Sequence, residues 1–323
     1  MNVAVLHGEV HPDAGEDEQD VLVEVECISK ALMEEGYNPV SVPFSIDIKE
    51  TINKLEEIKP SFVFNLVETV EGKGNLIYLA PAILNHLNIP YTGSKLDAIY
   101  ITSNKVLTKK FLKYSGINTP PWHEIDERPK DDIVPCIFKS VWEHASVGLD
   151  EDSVVFDMEK RHKEIKKRLA TGKKDSFIES YIDGREFNIS LLEGKNGPEV
   201  LPHGEIKFVD YHDKIKVVGY RAKWDSDSFE YNHTNRTFDF SEEDRTLLEK
   251  LSNISVACWN LFKLSGYGRV DFRVDNGGNP WVLEVNINPC LSPDAGFIAA
   301  AQRAGLSFND VIKRIVDAVS RES

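Results

Sequence analysis

Apolar strand-like runs alternate with amphipathic helical segments along the first hundred residues. Strands are predicted from short apolar runs at 3–6, 40–43, 61–66 and 89–91. Helices are predicted where apolar residues recur every three to four positions, at 21–35, 48–58 and 76–87. This strand–helix rhythm favours a parallel, doubly wound domain.

The pattern changes after residue 94. A basic helix is predicted at 104–114 and a Lys-rich helix at 159–169. The remainder is strand-rich until helices near 241–264 and 307–320. A chain of 323 residues is longer than one core usually fills, so we expect two or three domains.

Charge and cysteine usage narrow the class of protein. The chain carries 53 acidic and 38 basic residues, a net charge of −15, which disfavours nucleic acid and anionic membrane as partners. It starts with no signal-peptide pattern and has no apolar run of membrane-spanning length. Its four cysteines are isolated, which is typical of thiols in a reducing cytoplasm rather than of disulfides or a zinc site. We therefore expect a cytoplasmic protein.

Residues 268–291, GRVDFRVDNGGNPWVLEVNINPCL, read as a hairpin that combines core residues with oxygen-bearing side chains. With a four-residue loop at 276–279, Asp271 lies opposite Glu284, and Arg269 lies opposite Asn286. Side chains at these positions share one face of the pleat. The other face is then predicted to be core, formed by Phe272, Val274, Leu283 and Val285.

Two carboxylates and an amide on one patch have two interpretations. Such oxygen ligands suit Mg²⁺, which takes a few carboxylates together with phosphate oxygens. The alternative is a solvated face in which Arg269 and the two acids form a lattice of ion pairs. The spacing alone leaves both open.

Several separated motifs in a consistent order resemble the ATP-grasp superfamily, specifically D-alanine–D-alanine ligase and its relatives. Besides the hairpin they are PYTGS, FKSVWEHASVGL and FIESYIDGREF. The resemblance implies a mixed α/β and α+β fold: a Rossmann-like pre-ATP-grasp domain followed by a two-subdomain ATP-grasp fold. We expect the Rossmann-like domain at 1–100, the central subdomain at 101–182, and the C-terminal subdomain with the metal and substrate site at 183–323.

The resemblance also assigns residues to ATP. They are Lys105, Lys139, Ser146, Val147, Glu179, Ser180, Tyr181, Ile182, Glu186 and Lys223. The lysines would hold phosphates, since a phosphate needs cations at fixed points. The small-residue loop at 144–148 would fold over those phosphates, and 179–182 would border the adenine. Glu186 would accept hydrogen bonds from the ribose.

In the same way, the resemblance assigns the hairpin to metal and catalysis. It makes Asp271, Glu284 and Asn286 ligands of two Mg²⁺ ions, with Mn²⁺ as an alternative. Lys223 would act on the terminal phosphate and Arg269 on the tetrahedral intermediate. The implied reaction joins a carboxylate to an amine through an acyl-phosphate.

The amino-acid half of the site departs from true D-alanine–D-alanine ligases. Ala145 and Ala295 stand where the family has serines, and Trp224 stands where it has a tyrosine. The glutamate that would grip the first amino group falls among Glu16, Glu18, Gln19 and Asp20. The substrate pocket is predicted to contain Glu18, Gln19, Trp224, Asn288, Cys290, Leu291 and Ala295.

These departures favour a carboxylate–amine ligase that acts on amino-acid-like substrates other than two D-alanines. The alternatives are an authentic D-alanine–D-alanine ligase and an inactive nucleotide-binding regulatory protein. The expected partners are a small-molecule carboxylate and amine, with no nucleic acid and no membrane. The resemblance also suggests a homodimer.

Overall fold

In a computed structural model, the described part of the chain comprises residues 1–125, 133–143, 148–172, 175–212 and 214–321. Ala145, Ser146 and Val147, in the loop expected over the phosphates, lie outside these ranges. The residues that carry the rest of the predicted site lie within them.

The first third of the chain forms a three-stranded parallel sheet with the order β2-β1-β3. Its elements are β1 (Asn2–Gly8), α1 (Glu16–Glu34), β2 (Asn38–Phe44), α2 (Ile48–Ile58), β3 (Phe62–Leu66), α3 (Leu79–His86) and α4 (Leu96–Ser103). The predicted fourth strand at 89–91 is reduced to a single bridge between Val63 and Tyr91. That prediction was wrong because the chain turns away after Tyr91.

Helix α1 begins at Glu16, five residues before the predicted start at 21. The acidic run EDEQD therefore lies within its first turns rather than in a loop. Acidic side chains are favoured there because the N-terminus of a helix carries partial positive charge. The early start places Asp20 and Glu24 one turn apart on the same helix.

The middle of the chain forms a four-stranded sheet with the order β4-β7-β5-β6. Its elements are α5 (Lys105–Tyr114), β4 (Trp122–Glu124), β5 (Cys136–Ser140), β6 (Val154–Val155), α6 (Met158–Ala170) and β7 (Ser176–Ser180). Helix α5 begins where expected, since the Asn104 side chain accepts a hydrogen bond from the Leu107 N–H.

The last third forms a larger sheet, with the order β11-β10-β8-β12-β13 and β9 paired to β8. Its strands are β8 (Gly184–Gly194), β9 (Gly197–Val200), β10 (Gly204–Phe208), β11 (Thr234–Thr237), β12 (Tyr267–Asp275) and β13 (Pro280–Asn286). Its helices are α7 (Tyr220–Trp224), α8 (Phe229–His233), α9 (Arg245–Phe262), α10 (Gly296–Arg303) and α11 (Phe308–Arg321).

An apolar core joins the two ends of the chain. Ile28 and Leu32 of α1 pack in one cluster with Phe297 of α10 and Ile312 of α11. This contact brings the start of α1 close to residues 290–292. The three sheets follow the proposed segments 1–100, 101–182 and 183–323, and those bounds remain a proposal. Within the described ranges, none of the helices has the length and apolar character needed to cross a bilayer.

Candidate active site

Strands β12 and β13 pair as predicted where the oxygen-bearing side chains lie. Asp271 is directly opposite Glu284, and Arg269 is directly opposite Asn286. Strand β8 lies on the other side of β12, with Asn188 opposite Asp271. Residues directly opposite in a sheet share a face, so these five side chains belong to one surface.

The turn of this hairpin differs from the prediction. The Asp275 N–H donates to the Asn279 carbonyl, so the loop contains three residues, 276–278, and Gly278 takes the left-handed conformation at φ 76°. A bulge then leaves Phe272 opposite Val282 rather than Leu283. Val282 is consequently the buried residue, and the prediction of Leu283 in the core was wrong. The bulge offsets the shorter turn and restores the predicted pairing beyond it.

Arg269 and Asp271 form a bidentate ion pair. The Arg269 Nε and Nη2 atoms lie 2.7 and 2.8 Å from the two Asp271 carboxylate oxygens. The Asn188 amide donates to the same carboxylate at 2.7 Å. Burial would lower the pKa of Arg269, but Asp271 and Glu284 outweigh it and raise that pKa, so this guanidinium is a permanent cation.

Lys105 lies beside the hairpin. Its Nζ is 3.7 Å from Glu284 Oε2 and donates to the Glu143 carbonyl at 2.5 Å. Burial lowers the pKa of Lys105, while Glu284 opposes that effect. Asn286 accepts a hydrogen bond from the Asn288 N–H at 3.0 Å, which fixes the chain leaving β13. The ends of α5 and β13 therefore bring a lysine to the carboxylate patch.

Glu179 is shared between two lysines. Its Oε1 lies 2.5 Å from Lys139 Nζ and its Oε2 lies 2.5 Å from Lys109 Nζ. Burial alone would raise the pKa of Glu179, but these two cations hold it below its ordinary value. Sequence reasoning missed Lys109, although its position one turn after Lys105 on a helix was a usable signal.

The segment that follows β7 is held by backbone and aromatic contacts. Ser180 and Tyr181 donate their N–H groups to the Pro121 and Pro135 carbonyls. The Tyr181 hydroxyl donates to the Lys216 carbonyl at 3.1 Å. For Ile182, the described part of the structure records no hydrogen bond. Ile182 is therefore the residue of 179–182 best able to offer its backbone to a ligand.

Glu186 and Lys223 complete the expected nucleotide set. Glu186 pairs with Arg273 at 2.7 Å on the same face of the sheet as Asp271. The surrounding protein lowers the pKa of Lys223 by reducing its hydration, and Arg269 adds repulsion. Glu284 and Asp271 act on the pKa of Lys223 in the opposite direction. Trp224 is the next residue of α7.

A second group of charges faces residues 290–292. Asp20 accepts hydrogen bonds from Cys290 Sγ at 3.1 Å and from Ser292 Oγ at 2.9 Å. Glu24 accepts one from the Leu291 N–H. We call Asp20, Glu24 and Glu68 the acidic wall. Within the described residues, no lysine or arginine forms an ion pair with any of these three.

Two members of the acidic wall, Glu24 and Glu68, resist ionisation. Burial raises the pKa of Glu24 to about 7, and Asp20 adds repulsion while the Leu291 N–H opposes it. Burial raises the pKa of Glu68 well above its usual range, and repulsion from Glu24 and Asp20 adds to this effect. The positive charges of Arg269 and Lys223 oppose it. Burial also raises the pKa of Cys290, so this thiol stays protonated and is no nucleophile.

The structure separates the other pocket candidates. Gln19 is exposed and donates to the Ala14 carbonyl, while Glu18 reaches towards Gly72. Ala295 caps the start of α10. Sequence reasoning missed Glu24 and Glu68. Glu24 follows Asp20 by one helical turn, a signal that could have found it, whereas Glu68 lies 44 residues further along the chain.

The hairpin patch fits a divalent cation completed by phosphate. Among the described residues, no group of three or more His, Cys, Asp and Glu side chains could hold a metal alone. Asp271, Glu284 and Asn286 instead offer two carboxylates and an amide, and Mg²⁺ is commonly held by one or two carboxylates together with substrate phosphates. When bound there, Mg²⁺ would neutralise charge on those phosphates.

Comparisons with known proteins agree with this arrangement. A family model, D-ala D-ala ligase C-terminus, matches residues 111–317. D-alanine–D-alanine ligase of Carboxydothermus hydrogenoformans is 29% identical over 304 residues, which cover 90% of each chain. A Sinorhizobium fredii protein designated y4sG is 31% identical over 262 residues, covering 80% of this chain and 74% of that protein.

The fold has a counterpart of known structure. D-alanine–D-alanine ligase from Bacillus anthracis complexed with ATP superposes with a TM-score of 0.77 at 22% identity, covering 99% of this chain and 98% of that one. The predicted fold, a Rossmann-like domain with an ATP-grasp fold, is thereby confirmed. By reaction class, the protein is an ATP-dependent carboxylate–amine ligase. The chain belongs to the D-alanine–D-alanine ligase family.

Proposed function

We propose that the chain joins two amino-acid-like substrates through an acyl-phosphate, and that at least one of them is not D-alanine. The observation that carries this proposal is the division of charge in the site. Ion pairs line the hairpin side, whereas the carboxylates at the side of 290–292 form no ion pair within the described part of the chain. A nucleotide suits the first side and an amino group suits the second.

The proposed reaction begins with transfer of the terminal phosphoryl group of ATP to the donor carboxylate, which gives an acyl-phosphate and ADP. Lys139 and Lys223 would draw charge from the phosphate during transfer. The amine of the acceptor then attacks the acyl carbon, and phosphate leaves. Arg269, a permanent cation held by Asp271, would stabilise the oxyanion of that step. That the site binds two metal ions remains a prediction.

The donor substrate is proposed to place its amino group against the acidic wall. An ammonium group there would pair with Asp20 and Glu68, which are half-buried, and would relieve their mutual repulsion. Glu24 is only 2% exposed and is proposed to hold residues 290–292 in place rather than to touch substrate. An uncharged donor would leave these carboxylates unpaired, at a cost on the order of 1–3 kcal/mol each.

Arg236 is proposed to contribute to the acceptor side. It is opposite Ile206 on β10, which is opposite Glu186 on β8, so Arg236 shares the face that carries the hairpin charges. Its Nη1 lies 3.5 Å from the Asp294 carbonyl, and Gly296 leaves room for the guanidinium. An acceptor with a carboxylate fits this position, where Ala295 offers no hydroxyl.

An authentic D-alanine–D-alanine ligase is the second candidate. It is favoured by the relatives that carry that name at 29% identity, including one from Aquifex aeolicus that aligns with 98% of this chain. A homodimer and a cytoplasmic location stay predictions for either candidate.

Pairwise screening of amino acids and dipeptides for ADP release, with mass spectrometry of the products, tests both candidates. We expect a mixed pair to give a ligated product faster than D-alanine alone. Equal or faster ligation of two D-alanines would replace the first candidate by the second. Mg-ATP binding without any amine-stimulated turnover would overturn both and favour the regulatory alternative.

A further inference from the structure

Lys109 is a charged residue of the protein interior that neither the reaction nor the resemblance uses. Its side chain is 1% exposed and projects from α5 one turn after Lys105. The ammonium group lies 2.5 Å from Glu179 Oε2 and donates to Thr119 Oγ1 at 2.7 Å. Burial lowers the pKa of Lys109, and Lys139 adds repulsion that Glu179 opposes. A buried lysine is costly unless its partners are well placed, so a specific role is expected.

The carboxylate of Glu179 links Lys109 to a lysine that can reach a ligand. Lys109 occupies one oxygen, and Lys139, whose side chain is 17% exposed, occupies the other. Lys109 is therefore on the buried side of this carboxylate and Lys139 on the accessible side. If either lysine were missing, Glu179 and the remaining lysine would form a simple neutral pair.

Among the described residues, the ammonium groups of Lys109 and Lys139 share the single carboxylate of Glu179, so this group of three carries one cation in excess. Lys109 is enclosed, and Lys105 is held between Glu284 and the Glu143 carbonyl. The excess positive charge is therefore available to a ligand at Lys139. An anionic ligand would complete the balance.

The same network reaches the hairpin. Thr119 accepts from Lys109 and donates to the Val282 carbonyl at 2.8 Å, and the Val282 N–H donates to the Asn118 carbonyl at 2.9 Å. Val282 precedes Glu284 by two residues on β13. Lys109 thus connects the carboxylate that holds Lys139 with the strand that presents Glu284.

We propose that Lys109 is a positioning residue for the nucleotide: it fixes Glu179 so that Lys139 stays directed at the phosphates and retains an unbalanced positive charge. The inference rests on the proposed function, in which Lys139 contacts ATP. Lys109 itself is too enclosed to touch the nucleotide. Its effect must therefore depend on the phosphates and pass through Lys139.

Calorimetric titration of the full chain with Mg-ATP and with adenosine tests this role without any amine substrate. In Lys109→Met, Glu179 pairs with Lys139 alone and the excess charge disappears. We expect Mg-ATP affinity to fall about tenfold, as for loss of one charged contact, while adenosine affinity stays within about twofold. Lys110→Met is the matched control, because Lys110 lies on the same helix in a surface pair with Glu124 at 2.7 Å. It should change neither affinity by more than about twofold.

A double-mutant cycle decides whether the effect passes through Lys139. We expect the double variant Lys109→Met, Lys139→Met to bind Mg-ATP no more weakly than Lys139→Met alone, and Lys109→Arg to recover most of the loss. Additive losses, or equal losses for Mg-ATP and adenosine, would overturn the proposal. If Lys109→Met does not fold, Thr119→Val removes the hydroxyl that accepts from Lys109 and should weaken Mg-ATP binding about fivefold, while adenosine affinity stays within about twofold.

Failure of this proposal can be told apart from failure of the proposed function. If the variants show the expected binding pattern but the chain ligates no amine, the role of Lys109 is supported and the proposed ligase activity is refuted. If the chain is an active ligase but Lys109→Met binds Mg-ATP as the wild type does, only the role of Lys109 is refuted. A wild-type chain that does not bind Mg-ATP overturns both.

Discussion

The two sides of the site balance charge differently. In the hairpin itself, Arg269 faces Asp271 and Lys105 faces Glu284, so these four charges meet protein partners of opposite sign. On the acidic wall, Asp20, Glu24 and Glu68 repel one another, and burial raises the pKa values of Glu24 and Glu68. The ion pairs of the hairpin are formed before any ligand arrives, whereas the acidic wall needs a cationic ligand to balance its charge. Substrate choice should therefore depend mainly on the acidic wall.

The largest effect should come from breaking a balanced pair. Asp271→Asn keeps the shape of the side chain but removes a proposed metal ligand and the partner of Arg269. We expect kcat for ADP release to fall about 100- to 1,000-fold. Asp275→Asn is the control, since Asp275 belongs to the same hairpin but only orders its turn. A loss of activity in Asp275→Asn as large as in Asp271→Asn would show that the hairpin simply unfolds.

Changing the acidic wall should act on the donor substrate alone. Glu68→Gln removes a carboxylate that would pair with the donor ammonium, so we expect KM for the donor to rise about tenfold or more. KM for Mg-ATP should change less than about twofold. Steady-state kinetics with each substrate varied in turn measures both values. Glu71→Gln, in the same loop but exposed, is the matched control, and equal effects in both variants would contradict the assignment.

The wall should also make donor binding depend on pH. Glu24 is neutral below its raised pKa of about 7 and charged above it, so the wall gains a negative charge as pH rises through 7. We expect donor kcat/KM to increase across that range, because an ammonium binds better to the ionised wall. Glu24→Gln should flatten this rise while leaving the Mg-ATP profile unchanged. An unaltered rise in the variant would exclude Glu24 as its source.

Ionisation of Glu24 also affects stability. The pKa of Glu24 is higher in the folded protein than the ordinary 4.5, so the folded chain binds a proton more tightly than the unfolded chain. The free energy of unfolding should therefore decrease between about pH 4.5 and 7 from this group. In Glu24→Gln that contribution should be absent, as denaturant titrations at several pH values would reveal.

The smallest effect is expected on the acceptor side. Arg236→Ala should raise KM for a carboxylate-bearing acceptor roughly three- to tenfold, since one charged contact of an exposed side chain is lost. The carboxamide of the same acceptor should be affected less. Arg245→Ala serves as control, because Arg245 is exposed and pairs with Glu249 on α9. If Arg236→Ala raises KM equally for the acid and for the carboxamide, Arg236 does not bind the acceptor carboxylate.

Periodicity and motif order predicted the fold better than the element boundaries. The pairing of Asp271 with Glu284 was foreseen from the turn, but only because a bulge offsets a shorter loop, and no spacing rule announces that bulge. Helices α4 and α10, each eight residues long, were missed. Short helices owe their stability to packing, which a local pattern does not reveal.

The nucleotide side was more predictable than the amino-acid side. Lys139 and Glu179 lie in motifs that resemble a known family, whereas Glu68 joins the acidic wall only because the fold brings β3 and α1 to the same end of a sheet. Long-range convergence of this kind depends on tertiary structure. Lys109 was within reach of sequence reasoning, since it follows Lys105 by four residues.

A crystal structure of the chain with Mg²⁺ and a non-hydrolysable ATP analogue tests the hairpin site most directly. We expect oxygens of Asp271, Glu284 and Asn286 to surround the cation beside the phosphates, with Lys139 in contact with a phosphate oxygen. A nucleotide bound elsewhere, or phosphates remote from this face of the hairpin, would contradict this expectation.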